Sequence, residues 1–102
     1  MRTTKRKPAT VGEILTEEFM RPMGLTQAAL AEAMGVLRKH VNELCGNRRA
    51  VTAATALILA RVFGNSVDFW LNTQRRNDLW TVMNTPEQRE RVERARPLSH
   101  AA

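Results

Sequence analysis

QAALAEAMGVLRKHVNELC, residues 27–45, decides the fold. Thr26 stands before it as a helix N-cap, and Leu25 and Leu30 are spaced as a hydrophobic staple around that start. The spacing predicts a helix over residues 27–34, stopped at Gly35, and a second helix from 38 to about 45, ended by Gly46-Asn47. Two short helices joined around a glycine make a helix-turn-helix. The residue types suit that geometry. Ala31 is small where the two helices pass closest, and Gly35 can take the positive φ of a sharp turn. Val36, Val41 and Leu44 face inward and fix the angle of the second helix. Leu37, Arg38, Lys39, Asn42 and Glu43 are then left outside, with His40 near the edge. The leading end of such a helix is what enters a DNA major groove.

Working outward, Thr10-Val11-Gly12-Glu13 matches a capping box for a preceding helix, with Ile14, Leu15 and Phe19 as its apolar stripe and Pro22 marking its end. On the other side, residues 52–63 (TAATALILARVF) carry Arg61 as their one charge, which predicts a fourth helix buried at the centre of the core. Ser66 caps a fifth helix bearing Phe69, Trp70, Leu71, Leu79, Trp80 and Met83. Its run 72–78 (NTQRRND) is polar throughout, so the helix is expected to leave the core midway. Thr85-Pro86-Glu87-Gln88 reads as a second capping box, and Glu87–Arg91 and Glu90–Arg94 as ion pairs along a sixth helix anchored by Val92. The expected fold is all-α, with five or six helices. It divides into a basic arm (1–9), a helix-turn-helix domain ending in a dimerisation helix (10–83) and a charged helical tail, frayed after Pro97 (84–102).

The chain has 102 residues, 16 Lys plus Arg against 10 Asp plus Glu, and a net charge of +6, the balance expected of a nucleic-acid binder. One cysteine allows no internal disulfide, and no apolar run is long enough for a membrane span or a signal-peptide core. The expectation is a cytoplasmic protein that is neither secreted nor membrane-bound, associated with the nucleoid when DNA-bound. His40 and His100 have no partner at metal-ligand spacing, and Cys45 reads as a small hydrophobe because no His–acid pair surrounds it. No enzyme, metal or cofactor is expected.

The candidate DNA contacts follow from side-chain chemistry. Gln27, at the positive end of its helix, suits a phosphate. Arg38 and Lys39 suit base edges or phosphates, and Arg can fork onto guanine. Leu37 cannot cap a helix; it either touches a thymine methyl or is simply tolerated at that position. Asn42 suits adenine or a phosphate, Glu43 suits cytosine or charge screening, and Arg48 and Arg49 suit phosphates, with His40 at the margin. Leu79, Trp80, Val82 and Met83 form an apolar cluster beyond the polar run, the expected homodimer interface.

VGEILTEEFMRPMGLTQAALAEAMGV (11–36), RKHVNELCGNRRAVTAATALILARVFGNS (38–66) and DFWLNTQ (68–74) resemble the HigA-type antitoxins, a branch of the lambda-repressor-like helix-turn-helix proteins. Residues 8–83 share the likeness, most specifically in G-E-I-L (12–15) and F-W-L-N (69–72). Leu37 departs from the Ser or Thr usual at that cap, and Val67 from a frequent Pro. The resemblance implies a homodimer that binds its own operator and pairs with a HigB-type, RelE-like ribonuclease toxin. A stand-alone regulator of the same fold, or a protein-interaction module without DNA binding, are the alternatives; the basic face weighs against the second.

Overall fold

The computed structural model describes residues 6–98, and every regular element in them is a helix. The first, α1, joins an α-helical start (Val11–Ile14), a π-register stretch (Leu15–Met20) and a last α-turn (Arg21–Met23). Then follow α2 (Gln27–Met34), α3 (Arg38–Cys45), α4 (Ala53–Phe63), α5 (Val67–Met83) and α6 (Pro86–Arg94). The capping box on α1 forms: Thr10 Oγ1 accepts from the Glu13 amide at 3.1 Å, and Glu13 Oε1 accepts from the Thr10 amide at 3.1 Å. Those bonds hold the Glu13 carboxyl below its ordinary range. Pro22 does not end this helix. It lies within the last turn, immediately after the π stretch, and the stop is Gly24 in the left-handed region. A π turn already opens the hydrogen-bond ladder, so a residue lacking an N–H is tolerated there.

Leu15, Leu30, Val41, Leu44, Ala56, Leu59 and Trp70 are fully buried and draw on all of α1 to α5. Thr26 and Ser66 cap α2 and α5 as their positions require, accepting from Ala29 and Phe69 amides at 3.0 Å each. Gly35 takes φ +71 at the turn between α2 and α3. Val36 donates its amide to the Ala31 carbonyl at 3.0 Å, and Ala31 is buried between the two helices.

Further expectations are corrected. α4 is not buried all round: Leu57 is 59 % exposed, and Ala53, Ala54 and Arg61 face solvent. Its neighbours α2 and α5 cover one side, and the other stays exposed among the described residues. The polar run 72–78 does not carry α5 off the core. Thr73 is fully buried with its hydroxyl donating to the Phe69 carbonyl at 2.8 Å, Gln74 Oε1 accepts the Val51 amide at 2.9 Å, and Asn77 Nδ2 donates to the Ala9 carbonyl at 2.7 Å. Polar side chains thus line the seam because they close off loop and helix-end backbone groups. At α6, Pro86 occupies the first turn as expected, but the second capping box is absent. The Thr85 hydroxyl donates back to the Thr81 carbonyl at 2.6 Å, and the ion pair that forms is Arg89–Glu93 at 3.2 Å rather than Glu87–Arg91 or Glu90–Arg94. α6 buries no residue, and Val92 is 45 % exposed. His100 and most of the arm lie outside the described residues.

Candidate nucleic-acid interface

α3 is held by Val41 and Leu44 on its inner face, which turns the other face out. Leu37 occupies the N-cap position with no side-chain cap bond and is 78 % exposed. Arg38 and Lys39 follow it, exposed, and neither makes a hydrogen bond or ion pair among the described residues. The leading end of the helix therefore presents an apolar tip and two uncommitted cations.

Behind that tip the side chains are already engaged. Asn42 Nδ2 donates to Gln27 Oε1 at 3.1 Å, and Asn42 Oδ1 accepts from Arg48 Nη2 at 2.5 Å. The start of α2, the middle of α3 and the loop after it are thus linked by three side chains. Glu43 Oε1 accepts from Arg49 Nε at 3.0 Å, and this bond, with the charges of Arg49, Lys39 and Arg48, keeps the Glu43 carboxylate below its ordinary range. Glu43 is therefore committed to Arg49. His40 is half-buried with its Nε2 enclosed and unpaired. Burial, with Arg49 adding repulsion, lowers its pKa from the ordinary imidazole value and favours the neutral form. Burial also raises the Cys45 thiol, whose Sγ donates to Met20 Sδ at 3.7 Å, the setting of an inert packed thiol.

Two further residues position α3 from the side of α1. Asn47, in the left-handed region at φ +58, turns its side chain onto the start of α1. Its Oδ1 accepts the Gly12 amide at 2.9 Å, and its Nδ2 donates to Thr10 Oγ1 at 3.0 Å. Gly12 lets α1 approach the end of α3 so closely that a Cβ there would lie 2.3 Å from the Cys45 carbonyl oxygen. Asn47 reads in the sequence only as a helix stop and Gly12 only as part of a capping box. The available signal was a glycine inside a helix, where it is costly unless a neighbour needs the space.

Of the residues expected at the interface, Gln27, Asn42 and Arg48 are joined, Glu43 and Arg49 are paired, and Leu37, Arg38 and Lys39 stand forward. Two short helices at a glycine turn, with a basic outer face, define the class of helix-turn-helix DNA-binding proteins. The helix-turn-helix family matches residues 17–70. Antitoxin HigA-1 of Vibrio cholerae serotype O1 is 52 % identical over 84 residues, covering 82 % of this chain and 79 % of that protein. The uncharacterized HTH-type transcriptional regulator YbaQ of Escherichia coli K12 is 44 % identical over 96 residues, covering 91 % of this chain and 85 % of its own. A structure of Pseudomonas aeruginosa antitoxin HigA with the higBA promoter superposes with a TM-score of 0.80 at 33 % identity, covering 89 % of this chain and 98 % of that one. The chain belongs to the helix-turn-helix family, in its HigA-type antitoxin branch.

Proposed function

We propose that the chain is a DNA-binding antitoxin, which binds operator DNA as a homodimer, represses its own operon and neutralises a HigB-type, RelE-like ribonuclease toxin. The observation that carries this is the leading end of α3, with Leu37, Arg38 and Lys39 uncommitted and Gln27 and Arg48 on either flank. The antitoxin names of the Vibrio and Pseudomonas relatives, the latter seen with a promoter, supply the toxin and the operator. A salt-dependent mobility shift on the DNA upstream of its own gene tests the binding. Co-expression with the product of the adjacent gene tests the neutralisation, since a toxin's growth arrest is relieved only by its antitoxin. The likeness to a transcriptional regulator favours a second reading, regulation without a toxin. It holds if no small basic ribonuclease is encoded beside this gene.

Within this reading Arg38 and Lys39 reach base edges, Leu37 touches a thymine methyl, and Gln27, Arg48 and Arg49 meet phosphates. His40 stays at the margin, and Glu43 screens charge through Arg49. Arg38→Ala is expected to weaken operator binding by about 1–3 kcal/mol, roughly 5- to 150-fold, with a smaller loss on random duplex. Equal losses on both would mean that Arg38 meets only the backbone.

Dimerisation is assigned to the distal half of α5. Leu79 is exposed there, and Trp80, Val82 and Met83 are half-buried, with α6, which buries no residue, beside them. A central Trp in an interface carries at least about 2 kcal/mol, so Trp80→Ala should raise the dimer dissociation constant roughly 30-fold or more. Sedimentation velocity over a dilution series reads this directly. An unchanged association constant places the interface elsewhere.

A further inference from the structure

Asn42 sits where a base-reading side chain would sit, on the outward face of α3, yet both ends of its amide are occupied within the chain. The donor-only guanidinium of Arg48 fixes which end is which. Arg48 has no acceptor, so the atom facing it is Asn42 Oδ1, and the amide nitrogen faces Gln27. That nitrogen in turn requires an acceptor, which sets Gln27 with Oε1 toward Asn42 and leaves its Nε2, a donor, uncommitted. One cation's chemistry thus orients three side chains in series. Recognition of adenine by asparagine needs both amide atoms in one plane on the base edge, and here each atom already has one of its two hydrogen-bonding sites committed, which ties the amide plane to Gln27 and Arg48.

A second observation bears on Arg48. Gly46 has φ −91 and ψ 6, a conformation open to other residues, so its backbone does not demand glycine. A Cβ on it would instead lie 2.5 Å from Arg48 Nη1 and 3.1 Å from Arg48 Cζ. The guanidinium lies directly against the Gly46 Cα, in space that any side chain would take.

We propose that Asn42 and Gly46 are positioning residues rather than readers of DNA bases: they preassemble Gln27 and Arg48 into a two-armed clamp for the phosphate oxygens of duplex DNA. This rests on the DNA-binding reading above. Immobilising a long side chain on binding costs entropy, and a clamp held beforehand avoids that cost. Sequence recognition then falls to Leu37, Arg38 and Lys39, ahead of the clamp.

A double-mutant cycle tests the clamp, using Asn42→Ala, Arg48→Ala and the pair, on operator and random duplex across a salt series. Arg48→Ala should weaken both duplexes alike and lower the salt slope by about one. Asn42→Ala should give a loss of roughly 3- to 10-fold on both duplexes, and the double variant should bind as Arg48→Ala does, because contacting residues couple. Gly46→Ala should reproduce the Asn42→Ala loss with an unchanged melting temperature, since only the flexible Arg48 tip must move. A loss confined to the operator, with preference relaxed at one base pair, overturns the proposal, as do losses that multiply in the double variant. If wild type binds the operator and these results appear, only the clamp falls. If wild type binds no duplex, the DNA-binding reading falls and takes the clamp with it.

Discussion

Trp70→Ala is expected to remove about 3–5 kcal/mol of folding stability, the usual cost of truncating a fully buried tryptophan. Small domains hold only about 5–15 kcal/mol in all, so this is about a fifth of the total or more. The ring is the hub of the aromatic cluster. Its centroid lies 5.1 Å from Phe19 on α1, 5.9 Å from Phe63 on α4 and 5.0 Å from Phe69, edge-on at 88°. Its Nε1 donates to Asn65 Oδ1 at 2.8 Å, in the turn between α4 and α5. Truncation opens a cavity where three helices meet, and no neighbour on a rigid helix can collapse to fill it. The melting temperature should fall on the order of 15–30 °C. Trp70→Phe keeps an aromatic ring in the cluster and loses only part of the volume and the Asn65 bond, so its loss should be clearly smaller. A fall of only a few degrees for Trp70→Ala would show that the cluster does not hold α1, α4 and α5 together.

Gly12→Ala sets two effects against each other. Alanine is favoured over glycine inside a helix by about 1 kcal/mol. Against that, the new Cβ would lie 2.3 Å from the Cys45 carbonyl oxygen and 2.8 Å from both the Cys45 carbonyl carbon and Asn47 Oδ1. Two of these atoms are backbone at the end of α3, so relief requires α1 and α3 to separate. That separation also strains the Gly12–Asn47 bond. Overpacking of a tight site costs about 1–3 kcal/mol or more, and an orphaned buried amide about 1–3 kcal/mol besides. The clash wins, and the melting temperature should drop on the order of 10 °C or more. DNA affinity should fall with it, because the shifted segment carries Asn47 and Arg48. A melting temperature at or above wild type would mean that α1 and α3 do not meet there.

Local signals placed much of the fold in the sequence. A cap residue, a staple and a glycine stop act within a few positions, so α2 and α3 appear where residues 26–47 put them. The same reading failed wherever a distant partner decides. Thr85 reads as a cap, but the Thr81 carbonyl competes for its hydroxyl. Residues 72–78 read as solvated, but loop amides and carbonyls from Val51 and Ala9 come to meet them. α4 reads as central because its composition is apolar, but burial depends on how many neighbours arrive, and among the described residues one face stays exposed.

For the site, the sequence by itself determined the identity of the outward face: Leu37, Arg38, Lys39, Asn42 and Glu43 follow from helical periodicity once Val41 and Leu44 are inside. Which of these remain free depends on the folded chain. Arg48 and Arg49 come from a loop, and their reach to Asn42 and Glu43 depends on a chain reversal after Cys45 that Asn47 pins to Gly12 and Thr10. Periodicity reports which way a side chain points. Hydrogen-bond partners are chosen by three-dimensional proximity, and a contact spanning 35 residues from Gly12 to Asn47 leaves no periodic trace in the chain.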